Sequence, residues 1–428
     1  MADVKLLNDG VILNDEQEEL KKAIVEWYKN FQNRTHPDDG KIDRRDYFVY
    51  SGPAGSGKTT VMRQALEALD LNIEEDVAAC AYVGKAVMVM KMNGLDAKTI
   101  HSLIYYTDIK KYTDEKGKEK TKYVFKLKSK SALSQYKIIY CDEAAMVPEN
   151  LFIDLMSFNI PIIFAGDKNQ LPPVMSSSYI MDDPDFVLTK IMRQAEGNPI
   201  IWLSQRVLKN QWLHYGTYGN SRVLENFHMG MNLLTDYDVI LTNTLRLRES
   251  LNHYIRRELL HIKEISTPKR YEKMICRSNN WSFSIDGFYL VNGMTGFLID
   301  GYGSTNKDEY VNIDFLPEIF VNEDDNIYES IFDDDKVFYG VPIDVKYLKA
   351  SIDEKRNFGI PKYTKMEYGY VINVHIAQGS QYRRVLYFDD PFGGSREMAK
   401  KLRYTAITRA IDKIDIVRVN RGDDIYSL

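Results

Sequence analysis

YFVYSGPAGSGKTTVMRQALEAL, residues 47–69, is the stretch on which the fold of this chain turns. Its first four residues are apolar or aromatic without a polar break, as in a strand covered on both faces. From Thr59 to Leu69 apolar residues recur three and four apart among helix formers, so a helix is expected there. Between the two, Gly52, Gly55, Gly57, Lys58 and Thr59 complete the pattern G-x-x-x-x-G-K-[ST]. Glycines let backbone N–H groups approach phosphate oxygens, the lysine reaches the β and γ oxygens, and the threonine hydroxyl ligates Mg²⁺. Strand, loop and helix in that order predict a site for a nucleoside triphosphate with Mg²⁺, with Thr60 beside Thr59 on the phosphates.

Working outward, KIIYCDEAAM (137–146) places Asp142 and Glu143 at the end of a second apolar run. Asp142 is suited to hold Mg²⁺ and Glu143 to activate an attacking water, since phosphoryl transfer mostly needs positioning and charge neutralisation. Further runs, IPIIFAG (160–166), DVILT (238–242), YVINV (370–374) and RVLYF (384–388), alternate with helical stretches. That rhythm predicts parallel α/β sheets with ligands beyond the carboxyl ends of the strands. A chain of 428 residues has room for two such sheets.

Composition narrows the class. With 44% hydrophobic and 27% charged residues the chain reads as globular. A net charge of −5 argues against wholesale polyanion binding but leaves room for a basic groove. Three cysteines without a C-x-x-C pair exclude a disulfide framework and a zinc module, which points to a reducing, cytoplasmic compartment. Neither a signal-peptide pattern nor a bilayer-spanning apolar run is seen, so no membrane is expected.

Three segments stand apart. Residues 13–31 read as an amphipathic helix with Leu20, Ile24 and Trp27 on one face and Asn14 or Asp15 as its cap. In 105–129 two alternating runs flank a Lys-rich tip containing Gly117, which predicts a β-hairpin. Residues 262–368 turn to short strands, with Asn292-Gly293 at a turn and an acidic loop, NEDDNIYESIFDDD.

Four further blocks follow in order: AGDKNQLPPV (165–174), LTKIMRQAEGNPI (188–200), VHIAQGSQYRRV (374–385) and YTAITRA (404–410). Together with the glycine loop and the acidic pair, they resemble the motifs of superfamily 1 helicases of the RecD/Dda type, over nearly the whole chain. The resemblance implies an α/β fold of two RecA-like P-loop NTPase domains with an inserted β-hairpin pin and a small SH3-like β-rich insert. In these terms the first domain spans 1–185 with the pin at 105–129. The second spans 186–261 and 369–428, with the insert at 262–368. The implied activity is ATP-driven movement 5′ to 3′ on single-stranded DNA with unwinding of duplex.

The resemblance also assigns roles. Gln17 reads adenine, Gln170 senses the γ-phosphate beside Asp167, and Arg193 and Arg409 bring positive charge to that phosphate. Gly379 and Ser380 lie by the nucleotide. DNA contacts fall to Thr99 and His101 in KTIHSLI, Thr242 and Asn243 after a strand, and His375; Tyr123 or Phe125 of the hairpin is placed to stack on the last base pair. The implied partners are single-stranded and forked duplex DNA and a replication or single-strand-binding protein, met by a monomer in a bacterial or phage-infected cell. Replication, recombination and repair are the processes such enzymes serve.

Some positions depart from the family pattern. AYVGKA (81–86) has Val83 where a threonine hydroxyl is common, and Ile376 and Gln381 stand where a lysine and an acid are frequent. Two rival readings stay open from sequence: a superfamily 1 helicase acting on RNA or of opposite polarity, and an ATP-dependent switch that grips DNA without unwinding.

Overall fold

Asn14 opens the first helix, α1 (Asp15–Gln32), with a reciprocal cap: its side chain accepts the Gln17 N–H at 2.9 Å, and the Gln17 side chain accepts the Asn14 N–H at 3.0 Å. Two groups that a helix end otherwise leaves open are thereby satisfied. Leu20, Ile24 and Tyr28 form the buried stripe. Trp27, expected on that stripe, is half-buried at its margin, where it packs on Phe48 and donates to Arg45 O. Tyr28 lies four residues after Ile24 and so continues the row Leu20–Ile24, whereas Trp27 is displaced to the flank.

The computed structural model describes residues 12–35, 41–113, 119–172, 180–190, 198–264, 267–285, 287–303, 309–321, 334–359 and 362–420. The chain divides into two compact units, Met1–Trp202 and Leu203–Leu428.

In the first unit the strands are β1 (Tyr47–Ser51), β2 (Val77–Ala81), β3 (Ala97–Thr99), the hairpin pair β4 (Tyr105–Thr113) and β5 (Glu119–Leu127), β6 (Ile138–Asp142), β7 (Ile162–Gly166) and β8 (Phe186–Val187). All but the hairpin pair join, among the described residues, in one sheet of order β3-β2-β6-β7-β1-β8, every pair parallel. Parallel neighbours need crossovers that cover both faces, which explains why these strands are apolar on both sides. Leu20, Ile24, Val61, Met62 and Leu66 pack on one face. Leu103, Leu151, Phe152 and Leu155 pack on the other. Each such side chain, once fully buried, contributes about 1.5–3 kcal/mol. Residues 186–187, expected in the second domain, pair with β1 and therefore belong to this sheet.

The hairpin runs in unbroken register from Tyr105 opposite Leu127 to Thr113 opposite Glu119. Its Lys-rich tip, 114–118, lies outside the described residues.

The second unit starts with β9 (Gly216–Tyr218), β10 (Ser221–Leu224) and β11 (Val239–Thr242). It then departs into a β-rich insert: β12 (Lys273–Cys276), β13 (Asn280–Ile285), β14 (Phe288–Leu290), β15 (Thr295–Gly303), β16 (Tyr310–Pro317), β17 (Phe338–Asp344) and β18 (Met366–Tyr368). It returns with β19 (Val371–Asn373), β20 (Tyr382–Asp389) and β21 (Ala410–Arg418). The main sheet has the order β19-β11-β20-β21-β10-β9, parallel except for the edge strand β9. In the insert the order β17-β16-β15-β12-β18 is antiparallel throughout, with β13 and β14 paired apart. Gly293, at the expected turn, has φ 90°. Most of the acidic loop, residues 322–333, lies outside the described residues.

Buried ion pairs fasten the insert to its sheet. Arg256 and Glu272 meet at 2.6 Å with both side chains about 2% exposed, and the Arg256 guanidinium lies 3.7 Å from the Tyr368 ring centre. Glu367 on β18 faces Arg248 at 3.1 Å and Arg277 at 3.2 Å. Breaking such a pair strands a buried charge, at a cost of about 3–5 kcal/mol.

Candidate active site

Three strands of the first unit end side by side. Because β7 lies between β1 and β6, the glycine loop after β1, the acidic pair ending β6 and the Asp167–Gln170 turn after β7 share the carboxyl edge of one sheet. In α/β sheets that edge is where ligands bind.

The loop is left-handed at Gly55 (φ 79°) and Gly57 (φ 80°). A Cβ on Gly57 would lie 2.4 Å from Gln17 Nε2, so conformation and space both require glycine. Helix α2 (Lys58–Ala68) begins with no side-chain cap and no acid in its first turn. Its first N–H groups and the positive end of its dipole are thus available to an anion. Lys58 Nζ donates to Gly52 O at 2.8 Å and to Pro53 O at 3.2 Å, which folds the ammonium over the loop, while the Tyr50 hydroxyl braces Lys58 O at 3.1 Å. Thr59 and Thr60 follow on the first turn of α2, half-buried.

Asp142 ends β6, and its Oδ1 accepts the Glu143 N–H at 2.8 Å. Burial raises the Asp142 carboxyl above its ordinary value, and the Lys58 charge and the Glu143 N–H pull it back. Glu143 is left-handed, φ 51° and ψ 41°, an arrangement costing a non-glycine residue about 1–2 kcal/mol. That conformation turns the chain out of the strand into the short turn Ala144–Met146, whose backbone packs close on Gly166 at the end of β7. The two residues expected at the metal, Asp142 and Thr59, offer one carboxylate and one hydroxyl, and among the described residues no three His, Cys, Asp or Glu gather into a metal cage. Such a set fits Mg²⁺, which keeps several waters and takes phosphate oxygens as ligands.

Gln170 is 3% exposed, and its Oε1 has no hydrogen-bond partner among the described residues. Leaving a buried acceptor open costs about 1–3 kcal/mol. The turn that holds it is pinned by Lys168 N–H to Ser51 Oγ at 3.0 Å and Asn169 N–H to Asp167 Oδ1 at 3.0 Å. Gln17, assigned to adenine, has one hydrogen bond at each end of its amide: Oε1 accepts from Asn14 and Nε2 donates to Ser56 O at 2.9 Å. One lone pair and one N–H remain for a base.

In the second unit Arg409 is 2% exposed and donates through Nε to Thr405 O at 3.1 Å, through Nη1 to Ser380 O at 3.0 Å and through Nη2 to Thr408 Oγ1 at 3.3 Å. These partners are neutral oxygens, so none of them compensates the guanidinium charge, and they engage three of its five N–H donors. Ser380 and Gly379 (φ 76°) lie at that contact, and the buried Ser380 hydroxyl has no partner among the described residues. Two sequence blocks about thirty residues apart are thereby brought together. Arg193 lies outside the described residues.

The nucleic-acid candidates divide. Thr99 caps the helix Ile100–Ile104 through Ser102 N–H, and Lys128 closes the other end of that helix on Ser102 O and Leu103 O. His101 sits in an aromatic cluster, its ring 5.3 Å from Phe125, 5.7 Å from Tyr105 and 6.2 Å from Tyr82. Burial lowers the His101 pKa, and that of His375 in the second unit, so both are neutral at physiological pH and offer stacking or a neutral hydrogen bond. Phe125, half exposed, faces Thr107 near the root of the hairpin, whereas Tyr123 lies farther out, opposite Ile109. Phe125 therefore ties the hairpin to the helix bearing His101.

Thr242 and Asn243 are not presented as surface contacts. Both are buried; Thr242 Oγ1 donates to Thr244 O, and Asn243 is held by Asp390 O, Asp389 and the Tyr387 hydroxyl. Their hydrogen bonding is spent on shaping the turn before Thr244. Val83 precedes the helix Gly84–Met92 with no side-chain cap, as its lack of a hydroxyl requires. Tyr82 and Glu16 escaped the sequence reading; each adjoins a motif residue, Val83 and Gln17, and that adjacency was the available signal.

Fold and site together define a P-loop nucleoside triphosphatase built from two RecA-like α/β units. Residues 42–212 match the family model described as an AAA domain, and residues 368–417 match that of the UvrD-like helicase C-terminal domain. The chain is 29% identical over 181 residues to the ATP-dependent DNA helicase Dda of Enterobacteria phage T4, covering 40% of this chain and 39% of that protein. It is 27% identical over 171 residues to the ATP-dependent RecD2 DNA helicase of Deinococcus radiodurans, covering 38% and 22%. These matches thus span well under half of either relative. Among solved structures, Bacteroides Pif1 bound to single-stranded DNA shares the fold at a TM-score of 0.51 and 14% identity, over 95% of this chain and 92% of that one. The two family models and these relatives support a superfamily 1 helicase of the RecD/Dda type, and the fold is shared with Pif1.

Proposed function

We propose that the protein is an ATP-dependent DNA helicase that moves 5′ to 3′ on single-stranded DNA and opens forked duplex at the expense of Mg·ATP. The observation that carries this reading is the convergence of the glycine loop, Asp142–Glu143 and Gln170 on one sheet edge, in a chain similar to two ATP-dependent DNA helicases. Lys58 and the open N–H groups of α2 hold the phosphates, and Thr59 and Asp142 hold Mg²⁺, which neutralises phosphate charge. Glu143 orients and deprotonates the attacking water, and the open acceptor of Gln170 takes a hydrogen bond from that water's remaining O–H. Arg409, with Arg193, brings charge to the γ-phosphate from the arginine blocks. Because those contacts exist with ATP and vanish with ADP, hydrolysis switches the protein between two states and so between two grips on the strand.

On DNA, His101 and Thr99 mark the first unit's contact and His375 the second's. The Lys-rich hairpin is the element that divides the duplex, braced at its root by Phe125, Tyr105 and His101. A single chain suffices for this cycle, and a replication or single-strand-binding protein is the partner it would meet.

The test is ATP-dependent unwinding of two matched duplexes, one with a 5′ tail and one with a 3′ tail. Unwinding of the 5′-tailed duplex alone is the expected result; activity on the 3′ tail alone would reverse the polarity. An RNA-tailed substrate should be unwound poorly. Removing the hairpin tip, residues 114–118, should abolish unwinding while DNA-stimulated ATPase stays within about twofold, since the flanking strands β4 and β5 form their own two-stranded sheet, apart from the one that carries the phosphate loop. Unwinding equal to that of the unaltered chain would remove the hairpin from the mechanism. ATPase without unwinding in the intact chain would support the switch reading.

A further inference from the structure

The glycine loop is held from outside as well as by its own sequence. At its carboxyl end, Gln17 donates to Ser56 O at 2.9 Å and abuts Gly57. Its amino end lies beneath residues 188–190, which continue from β8. There Leu188 N–H donates to Ser51 O at 2.7 Å, and a Cβ on Gly52 would lie 3.0 Å from Leu188 Cβ. The next two residues are fixed by one carboxylate on α1: Glu16 Oε1 accepts the Thr189 N–H at 2.9 Å and the Thr189 hydroxyl at 2.7 Å, and Oε2 accepts the Lys190 N–H at 3.0 Å. Three donors into one carboxylate form a charge-assisted set stronger than neutral bonds of the same number.

We infer that Glu16 is a positioning residue for the nucleotide site: it fastens the 188–190 segment over Gly52, so that Glu16 and Gln17, neighbours on one helical turn, hold the two ends of the phosphate loop in the shape that receives triphosphate. Burial pushes the Glu16 carboxyl up, but the Lys190 and Thr189 hydrogen bonds and the Lys190 charge outweigh it, so the group is ionised at neutral pH and the clamp is engaged. An uncharged side chain would hold the segment less firmly. Preorganisation of this kind acts on affinity, because a loop already shaped needs no ordering when the ligand arrives.

This inference rests on the nucleotide-site reading and is independent of unwinding, so the test omits DNA. Binding of a fluorescent ATP analogue with Mg²⁺ is measured on the full chain, alongside hydrogen exchange of segments 51–58 and 188–190. Glu16→Ala is expected to weaken binding about tenfold and Glu16→Gln, which keeps one acceptor oxygen, about threefold. Faster exchange should be confined to those two segments, and Glu19→Ala, exposed on the same helix, should match the unaltered chain. If Glu16→Ala does not fold, Glu16→Gln decides alone. Affinity within twofold of the unaltered chain, or faster exchange throughout the first unit, would overturn the assignment. Were the helicase reading wrong, unwinding would fail while this binding difference remained; were Glu16 irrelevant, unwinding would survive its replacement.

Discussion

Glu143→Gln is expected to cut ATP turnover about a thousandfold while leaving nucleotide affinity within about threefold, because a positioned general base is worth about 10²–10⁴ in rate and contributes little to ground-state binding. The substitution keeps the shape of the side chain and its backbone bond to Asp142, so the strained left-handed turn is preserved. What is lost is the ability to take a proton from water. Single-turnover hydrolysis with pre-bound ATP measures the step directly. Turnover within tenfold of the unaltered chain would mean that another group activates the water, and Glu143 would then be no more than the residue that begins the turn.

The second large effect is expected at Arg409. Arg409→Lys keeps a positive charge but replaces a planar fork, which now spans Thr405 O, Ser380 O and Thr408 Oγ1, with a single ammonium that cannot reach all three. A loss of about 10³-fold in DNA-stimulated ATPase is expected, the lower end of the range for removing an arginine that stabilises a transferring phosphoryl group. ATP affinity should fall less than turnover, since the contact matters most in the transition state. Thermal unfolding separates this from damage to the fold: turnover should collapse in a variant whose melting curve stays cooperative. A variant with normal turnover would show that Arg409 is only a strut between the Ser380 loop and the helix Arg396–Ile407.

The phosphate loop, the acidic pair and the hairpin could be read from the chain because each has a local physical signature: glycines at fixed offsets, acids at the end of an apolar run, and two alternating runs about a lysine-rich turn. Thr242 and Asn243 had no such signature. A threonine and an asparagine after a strand look alike whether they face DNA or, as here, are turned inward, the threonine onto Thr244 O and the asparagine onto Asp389, Asp390 and Tyr387. For Phe125 the ladder adds what the residue type alone leaves out. An exposed aromatic on a hairpin suggests a stacking wedge, yet its position in the ladder puts it at the root beside His101.

From the sequence by itself came the nucleotide chemistry and the division into α/β sheets, since both depend on residue types at short, fixed spacings that local backbone geometry enforces. Only the tertiary structure decided which distant groups meet. Glu16 reaches Thr189 and Lys190 across 173 and 174 residues. Arg409 is gathered onto Ser380 across 29. Strand β7 sets the loop and the acidic pair on either side of itself. Such contacts depend on sheet order and packing, which bring together residues whose separation along the chain carries no periodic signal.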